Sequence, residues 1–141
     1  MRYCIFSGTN TWAECASALK SLAGLGPLLE GPAIEEYERR FAEAAGTRRA
    51  FSFAAGRHAL YRLLEALDIG AGDEVILPAF TCVVVPNAIL YRGARPVFVD
   101  IAPGTYNIDP SLIETKITPR TRAVIAQHTF GKLCDIDAVK A

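Results

Sequence analysis

The chain has 141 residues, of which 51% are hydrophobic, and its fifteen Lys and Arg balance fifteen Asp and Glu. This composition excludes an intrinsically disordered chain, and the lack of net positive charge argues against a nucleic-acid partner. The length corresponds to about one domain. The cysteines are scattered without a C-x-x-C pair, which favours reduced thiols in the cytoplasm over a disulfide framework or a zinc site. They are Cys4, Cys15, Cys82 and Cys134.

Two helices are predicted in the first third of the chain. The segment Thr11–Leu22 is the first, and the glycines and proline of Gly24–Pro27 end it. The pair Gly31–Pro32 begins the second, because proline is tolerated in the first turn, and Gly46 is its expected C-cap. Its apolar residues recur at helical spacing, at Ile34, Tyr37, Phe41 and Ala45.

Strands and helices alternate from residue 47 onward. The predicted strands are Arg49–Phe53, Glu74–Leu77, Pro96–Asp100 and Arg122–Ala126. The predicted helices are Arg57–Leu67, Thr81–Tyr91, Asp109–Lys116 and one that begins near Asp135 and Asp137. This alternation predicts an α/β fold with a mainly parallel sheet. Because Val75–Leu77 and Val97–Val99 are apolar without alternation, helices are expected on both faces of the sheet.

Membrane and secretion signals are weak. The apolar patch Tyr3–Phe6 is shorter than a secretory signal requires. The longest uncharged run, Val75–Tyr91, is interrupted by Pro78 and Pro86. A buried strand followed by a helix is therefore expected there, and no membrane partner.

Ligands of open parallel sheets bind beyond the carboxyl ends of the strands, where loops lead into helices. Four segments qualify: Ala54–His58, Pro78–Cys82, Asp100–Thr105 and Gln127–Lys132. In the first, small residues precede a helix whose opening N–H groups have no intrahelical partner, an arrangement that suits a phosphate. Arg57 offers a charge-assisted contact. A plain tight turn with a solvated arginine explains the same residues, and both interpretations stay open.

Cys82 and His128 each follow a predicted strand, which raises the alternative of a nucleophilic Cys–His pair. No third, orienting residue is identifiable, and a lone cysteine is more often inert. The second histidine, His58, is expected to be a partly exposed residue near a helix start. Two histidines without a nearby acidic cluster do not predict a metal site.

Six segments, in this order, resemble the DegT/DnrJ/EryC1/StrS aminotransferases, which depend on pyridoxal phosphate (PLP) and act mainly on nucleotide-linked keto sugars. The segments are Ile69–Pro78 (IGAGDEVILP), Ala79–Ile89 (AFTCVVVPNAI), Gly93–Asp109 (GARPVFVDIAPGTYNID), Ile117–Arg122 (ITPRTR), Gln127–Gly131 (QHTFG) and Cys134–Ala138 (CDIDA). The resemblance extends over residues 24–141. It implies the amino-terminal portion of a mainly parallel, aspartate aminotransferase-like large domain, with residues 1–30 as an arm and residues 31–141 as part of the PLP-binding domain.

The resemblance also implies roles for individual residues. Ala55, Gly56 and Arg57 stand where the family has Ser-Gly-Thr, whose backbone amides hold the cofactor phosphate. Cys82 stands where many members place an aromatic ring against the cofactor, and a thiol cannot stack in that way. His128 matches a histidine near the family's active site.

In the family, the lysine that binds PLP covalently and the acid that pairs with the pyridinium nitrogen both follow the segment matched by Cys134–Ala138. Transamination needs both groups, so these 141 residues alone are expected to be inactive. The expected whole enzyme is a homodimer that transfers an amino group, with glutamate as donor, to a nucleotide-linked keto sugar. The alternatives are a non-enzymatic remnant or decoy subunit, and a small phosphate-binding α/β module.

Overall fold

The computed structural model describes residues 11–25 and 31–141. These residues form two units, one that ends at Ser52 and one that runs from Phe53 to Ala141. The sequence predictions for Cys4, for Tyr3–Phe6 and for the end of the first helix at Gly26 and Pro27 lie outside the described residues.

The first unit contains the two predicted helices. Helix α1 spans Trp12–Leu22, and its N-cap Thr11 forms a reciprocal capping box with Glu14. Helix α2 spans Pro32–Ala44. The chain then turns through Gly46 at φ +65°, a left-handed conformation that glycine adopts without steric cost. Both predicted helices are therefore confirmed.

The second unit is a three-stranded parallel sheet with helices on both faces. Its strands are β1 (Glu74–Pro78), β2 (Arg95–Val99) and β3 (Thr121–Val124), in the order β2-β1-β3. Its helices are α3 (Gly56–Ala66), α4 (Val84–Tyr91), α5 (Pro110–Ile113) and α6 (Ile136–Lys140), with 3₁₀ turns at Glu114–Lys116 and Thr129–Gly131. The predicted helix starts at Asp109 and Asp135 are confirmed, since each carboxylate accepts a backbone N–H in the first turn. The α/β fold with a parallel sheet is likewise confirmed.

Strand β1 lies between two apolar layers. Leu77 packs with residues of α3 and α4, including Leu64 and Ile89. Ile76 points to the other face and packs with Ile113 of α5 and with Cys134. All five residues of β1 are buried, as the run of apolar residues without alternation predicts.

The second apolar run, Val97–Val99, is less completely buried than the run in β1. Strand β2 lies at one edge of the described sheet, and its Phe98 is 47% exposed. The expectation that both faces of β2 are covered is therefore wrong for this residue. An edge strand has a sheet neighbour on one side only, so the layers that enclose β1 do not extend fully over it.

The predicted strand at Arg49–Phe53 is also wrong, because the segment is irregular. A strand needs its backbone N–H groups for a neighbouring strand. The N–H of Ser52 instead donates to Glu38 Oε1 of α2 at 2.7 Å, and the hydroxyl of Ser52 donates to the same oxygen at 2.8 Å. The side chain of Phe51 is 70% exposed, so no layer covers this segment either.

Helix α4 begins at Val84, three residues later than the predicted Thr81. Pro86 explains the difference, since it has no N–H to donate to the carbonyl of Cys82. With the start at Val84, Pro86 falls in the first turn, where a missing donor costs little. The residues before Val84 remain a loop at the end of β1, which is where a ligand site is expected.

A buried carboxylate anchors the opposite end of the sheet. Glu74, at the start of β1, is 2% exposed. Its Oε2 accepts from the hydroxyl of Thr118 at 2.7 Å, and its Oε1 accepts from Arg120 at 2.8 Å. The Thr118 hydrogen bond, and after it Arg120, hold the pKa of Glu74 below the ordinary value of 4.5, although burial acts in the opposite direction.

This lowered pKa predicts an acid-sensitive contribution to stability. Because the folded-state pKa lies below the unfolded one, the contribution of Glu74 is complete above about pH 4.3 and is lost as the pH falls through the folded-state value. Glu74→Gln is expected to lower the melting temperature at pH 7 and to flatten its decline between about pH 5 and pH 3. Thermal unfolding across this range, with the exposed Glu114→Gln as control, measures both effects. Equal pH profiles for wild type and Glu74→Gln would contradict the prediction.

Candidate functional site

The turn into α3 leaves two backbone donors free. The N–H groups of Gly56 and Arg57 have no acceptor among the residues that the structure describes, and the N-cap Ala55 supplies no side-chain cap. No acidic side chain lies in the first turn of α3. A Cβ built on Gly56 would meet nothing within 4 Å, so the side of this residue on which a Cβ would lie is open. The helix N-terminus is therefore uncapped and accessible to an anion.

Arg57 adds a charge at this turn. Its side chain is exposed and forms no ion pair with the residues described. Together with Ala55, Gly56 and Leu60 of α3 it lines a pocket of about 420 Å³, whose other wall is formed by Val84 and Val85 of α4. The pocket thus combines free amides and a guanidinium with an apolar wall.

A second, larger opening lies at the carboxyl ends of β1 and β3. It has a volume of about 590 Å³ and is lined by Phe80–Cys82, which follow β1, and by Gln127–Phe130, which follow β3. We call this opening the carboxyl-end cleft. The cleft and the α3 pocket have no lining residue in common, but their linings come close in sequence, since Phe80–Cys82 of the cleft precede Val84 and Val85 of the pocket.

Three polar atoms in the carboxyl-end cleft are buried without a hydrogen-bond partner. They are Thr81 Oγ1, Gln127 Oε1 and Thr129 Oγ1. A buried polar group that lacks a partner costs about 1–3 kcal/mol, so such groups are rare unless a ligand or water satisfies them. The three residues line one opening at the ends of two strands, which makes this opening the candidate site for a polar ligand.

Cys82 and His128 line the same cleft, but they do not form a pair. No hydrogen bond between them occurs among the described residues, and His128 Nδ1 instead accepts the backbone N–H of Cys134 at 3.0 Å. Cys82 is an exposed free thiol. The structure thus gives no support to the nucleophilic-pair alternative, and it assigns the Nδ1 atom of His128 to holding the loop.

The family pattern implies an aromatic ring at the position of Cys82. In this chain, aromatic side chains border the same cleft at other positions. The ring of Phe80 lies 5.1 Å from that of Tyr106 and 6.2 Å from that of Phe130, centroid to centroid. Tyr106 and Phe130 are 5.4 Å apart in an edge-on arrangement. A planar ligand in the cleft would find π surfaces at Phe80 and Phe130, which a thiol cannot supply.

Two other site types find no support in the described part of the chain. No group of three or more His, Cys, Asp or Glu is placed to hold a metal ion within residues 11–25 and 31–141. None of the described helices has the length and apolar character needed to cross a membrane.

A sequence model of the DegT/DnrJ/EryC1/StrS aminotransferase family matches residues 10–141. The chain belongs to this family. The match extends over all of the second unit and most of the first, so the order of motifs from Ile69 to Ala138 led to the correct assignment.

Two relatives of this chain have names that refer to nucleotide sugars. The chain is 45% identical over 116 residues to the UDP-2-acetamido-2-deoxy-3-oxo-D-glucuronate aminotransferase of Pseudomonas aeruginosa. The matched residues cover 82% of this chain and 32% of that protein. It is 42% identical over 109 residues to the GDP-perosamine synthase of Caulobacter vibrioides, covering 77% of this chain and 29% of that protein. The chain therefore spans about a third of the length of these relatives.

Solved structures agree with the described fold. The Spr1654 protein of Streptococcus pneumoniae, solved in PLP and PMP forms, matches with a TM-score of 0.86 and 34% identity over 93% of this chain and 33% of that one. The DesV protein of S. venezuelae, solved with a ketimine intermediate, matches with a TM-score of 0.83 and 38% identity over 91% of this chain and 34% of that one. The sheet and helices described above thus correspond to part of the large domain of PLP-dependent sugar aminotransferases.

The residues present fit a phosphorylated planar cofactor. The uncapped α3 turn with Arg57 suits a phosphate, and the unpartnered oxygens of the carboxyl-end cleft suit the polar substituents of a ring. Sequence reasoning singled out Ala55, Gly56, Arg57, Cys82 and His128. It did not single out Gln127, Thr129 or Phe130, although all three lie in a segment that the strand-end rule had marked.

Proposed function

We propose that this chain supplies the phosphate-binding turn and one wall of the cofactor cleft in a PLP-dependent aminotransferase. The observation that carries the proposal is the pairing of free amides at Gly56 and Arg57 with unpartnered buried oxygens at the carboxyl ends of β1 and β3. Residues 31–141 then form the first part of the large domain, and residues 1–30 an arm before it. A plain tight turn would account for the amides, but not for the unpartnered oxygens of the cleft.

Individual residues have separate tasks in this proposal. Ala55, Gly56 and Arg57 bind the phosphate through backbone amides and the guanidinium. Thr81 and Gln127 provide polar contacts that orient the bound group. Phe80 supplies the aromatic surface for stacking, which the thiol of Cys82 cannot provide. His128 keeps its Nδ1 atom engaged with the Cys134 backbone and so fixes the loop that carries it.

PLP, when bound, provides the electron sink that an amino-group transfer requires. The chain's own residues bind and orient it, but none of its lysines lies in the carboxyl-end cleft. The side chain of Lys132, in the cleft-bordering loop, donates instead to Gly104 O at 2.8 Å. We therefore propose that these 141 residues bind the cofactor without transferring an amino group.

A titration with PLP tests this proposal. Saturable binding is expected, with competition by inorganic phosphate, because the free amides and Arg57 recognise the phosphate group. Borohydride treatment followed by peptide mapping is expected to find no stoichiometric pyridoxyl adduct at Lys20, Lys116, Lys132 or Lys140. Absence of binding would contradict the cofactor role, and one fully modified lysine together with turnover would contradict the inactivity.

For the whole enzyme we propose a nucleotide-linked keto sugar as amino acceptor and glutamate as amino donor. The support is the relatives' action on UDP- and GDP-linked sugars, together with 45% identity to the first of them. A coupled assay with a panel of nucleotide-linked keto sugars, run on the protein that contains these residues, tests the acceptor. Activity with free keto acids alone would contradict it.

We also propose that the enzyme is a homodimer. Phe80, Tyr106 and Phe130 form an apolar cluster in which every ring keeps more than 40% of its surface exposed, with values of 43%, 49% and 73%. Exposed clusters of this kind are typical of surfaces that pack against another chain. Sedimentation velocity tests the assembly, and a monomer at all concentrations would contradict it.

A cytoplasmic location agrees with the cysteines. Cys15, Cys82 and Cys134 are all free thiols, and two of them are exposed. Exposed thiols persist in reducing compartments, whereas oxidising ones favour disulfides. The alternative is a decoy subunit without activity that pairs with full-length subunits, and a loss of activity when the chain is mixed with a full-length relative would favour it.

A further inference from the structure

One buried polar side chain outside the proposed cofactor contacts forms a hydrogen bond through its amide nitrogen and another through its amide oxygen. Asn107 is 4% exposed and lies in the loop between β2 and α5. Its Nδ2 donates to the carbonyl oxygen of Lys132 at 3.0 Å, and its Oδ1 accepts the N–H of Thr129 at 3.1 Å. The two contacts lie at the two ends of the Thr129–Gly131 turn, so one side chain holds both ends of this turn.

Asn107 is itself held firmly. Its N–H donates to Thr105 Oγ1 at 3.2 Å, and its carbonyl oxygen accepts the N–H of Ala102 at 3.0 Å. The next residue, Ile108, is 1% exposed and belongs to the apolar layer beneath the sheet. The amide of Asn107 therefore projects from a rigid base that is tied to the core.

The turn that Asn107 holds would not adopt its shape unaided. Phe130 has φ +54° and ψ +27°, a left-handed conformation that is unfavourable for a residue with a Cβ. This conformation places the ring against Tyr106 and Phe80 at the cleft border. The hydrogen bonds that Asn107 makes at both ends of the turn offset this cost.

We propose that Asn107 is a positioning residue for the carboxyl-end cleft. By holding the Thr129–Gly131 turn it keeps Gln127, Thr129 and Phe130 opposite Phe80–Cys82, where the ligand is bound. The inference rests on the proposed cofactor role of the cleft for its effect on binding, but the structural part, a local clamp on the turn, stands independently of any ligand.

The test compares two variants with a matched control. Asn107→Leu keeps a similar volume and removes both side-chain contacts, whereas Asn107→Asp keeps the acceptor for Thr129 and loses the donor to Lys132. Lys132→Met is the control. The ammonium of Lys132 also links the loop after β2 to the loop after β3, through Gly104 O, but Lys132 is exposed and Gly104 does not line the cleft. Amide hydrogen exchange, measured by NMR, and the PLP dissociation constant are the readouts.

In Asn107→Leu, exchange at Thr129 is expected to accelerate about tenfold or more relative to exchange at Ile76 and Leu77 of β1. The PLP dissociation constant is expected to rise about tenfold or more, since the cleft oxygens are no longer held in place. Asn107→Asp is expected to retain more protection at Thr129 than Asn107→Leu, and Lys132→Met to resemble wild type in both readouts.

Three results would overturn the inference. Unchanged exchange at Thr129 in Asn107→Leu would show that Asn107 does not hold the turn. Equal acceleration at Thr129, Ile76 and Leu77 would show that Asn107 contributes to the stability of the whole second unit instead. If wild type binds PLP and Asn107→Leu has the same PLP dissociation constant, Asn107 does not position the cleft for the ligand. If wild type binds no PLP, the proposed cofactor role fails, and the exchange data alone decide whether Asn107 positions the turn.

Discussion

Replacement of Gly56 by proline is expected to weaken PLP binding by about 10–100-fold without loss of folding, because it removes one free amide that would donate to the phosphate. Proline is favoured at the first position of a helix, which Gly56 occupies in α3. The preceding Ala55 has φ −156° and ψ 149°, an extended conformation that a following proline accepts. The melting temperature is therefore expected to stay the same or to rise slightly, since proline restricts the unfolded chain.

Gly56→Ala is the matched control for this variant. It retains the N–H, and its Cβ would meet nothing within 4 Å. Affinity close to that of wild type is expected for Gly56→Ala, and isothermal titration of PLP into the three proteins measures the difference. If Gly56→Pro bound PLP as tightly as Gly56→Ala, the phosphate would not depend on the amide of Gly56.

The parts of the fold that the sequence predicts well are those in which one local signal decides the outcome. Asp109 and Asp135 cap their helices as predicted, because a carboxylate at that position accepts a first-turn N–H that has no partner within the helix. Strand β1 is predicted by its unbroken apolar run. The false strand at Arg49–Phe53 contains two β-prone phenylalanines, but strand formation depends on a neighbouring strand, and Glu38 accepts the N–H of Ser52 instead.

The candidate site was predictable to a similar degree. Two of the segments that the strand-end rule marks line the carboxyl-end cleft, at Phe80–Cys82 and Gln127–Phe130, since topology alone brings them to one edge. Asn107 was not predictable, because its partners Thr129 and Lys132 lie 22 and 25 residues away in sequence. A side chain that satisfies distant backbone groups leaves no periodic or compositional trace near its own position.

The largest loss of stability is expected where both apolar layers meet strand β1. Leu77 and Ile76 are 0% exposed, and they face opposite layers of the second unit. Leu77→Ala and Ile76→Ala are each expected to lower the free energy of unfolding by about 2–5 kcal/mol, because each leaves a cavity that a packed core fills only in part. Small domains have about 5–15 kcal/mol in total, so either change removes a large share of it.

Urea denaturation of the two variants distinguishes a two-layered unit from a sheet that is covered on one face only. If α5 and α6 pack on the sheet as firmly as α3 and α4, the losses for Ile76→Ala and Leu77→Ala will be of similar size. A loss below about 1 kcal/mol for Ile76→Ala alone would mean that the layer around Ile113 and Cys134 yields to fill the space.

Leu63→Ala, at a position that is 56% exposed on α3, is the control and is expected to change stability by no more than about 0.5 kcal/mol. Because Ile76 packs in the same layer as Ile108, which follows Asn107, a soft layer there would also loosen the base from which Asn107 holds the cleft.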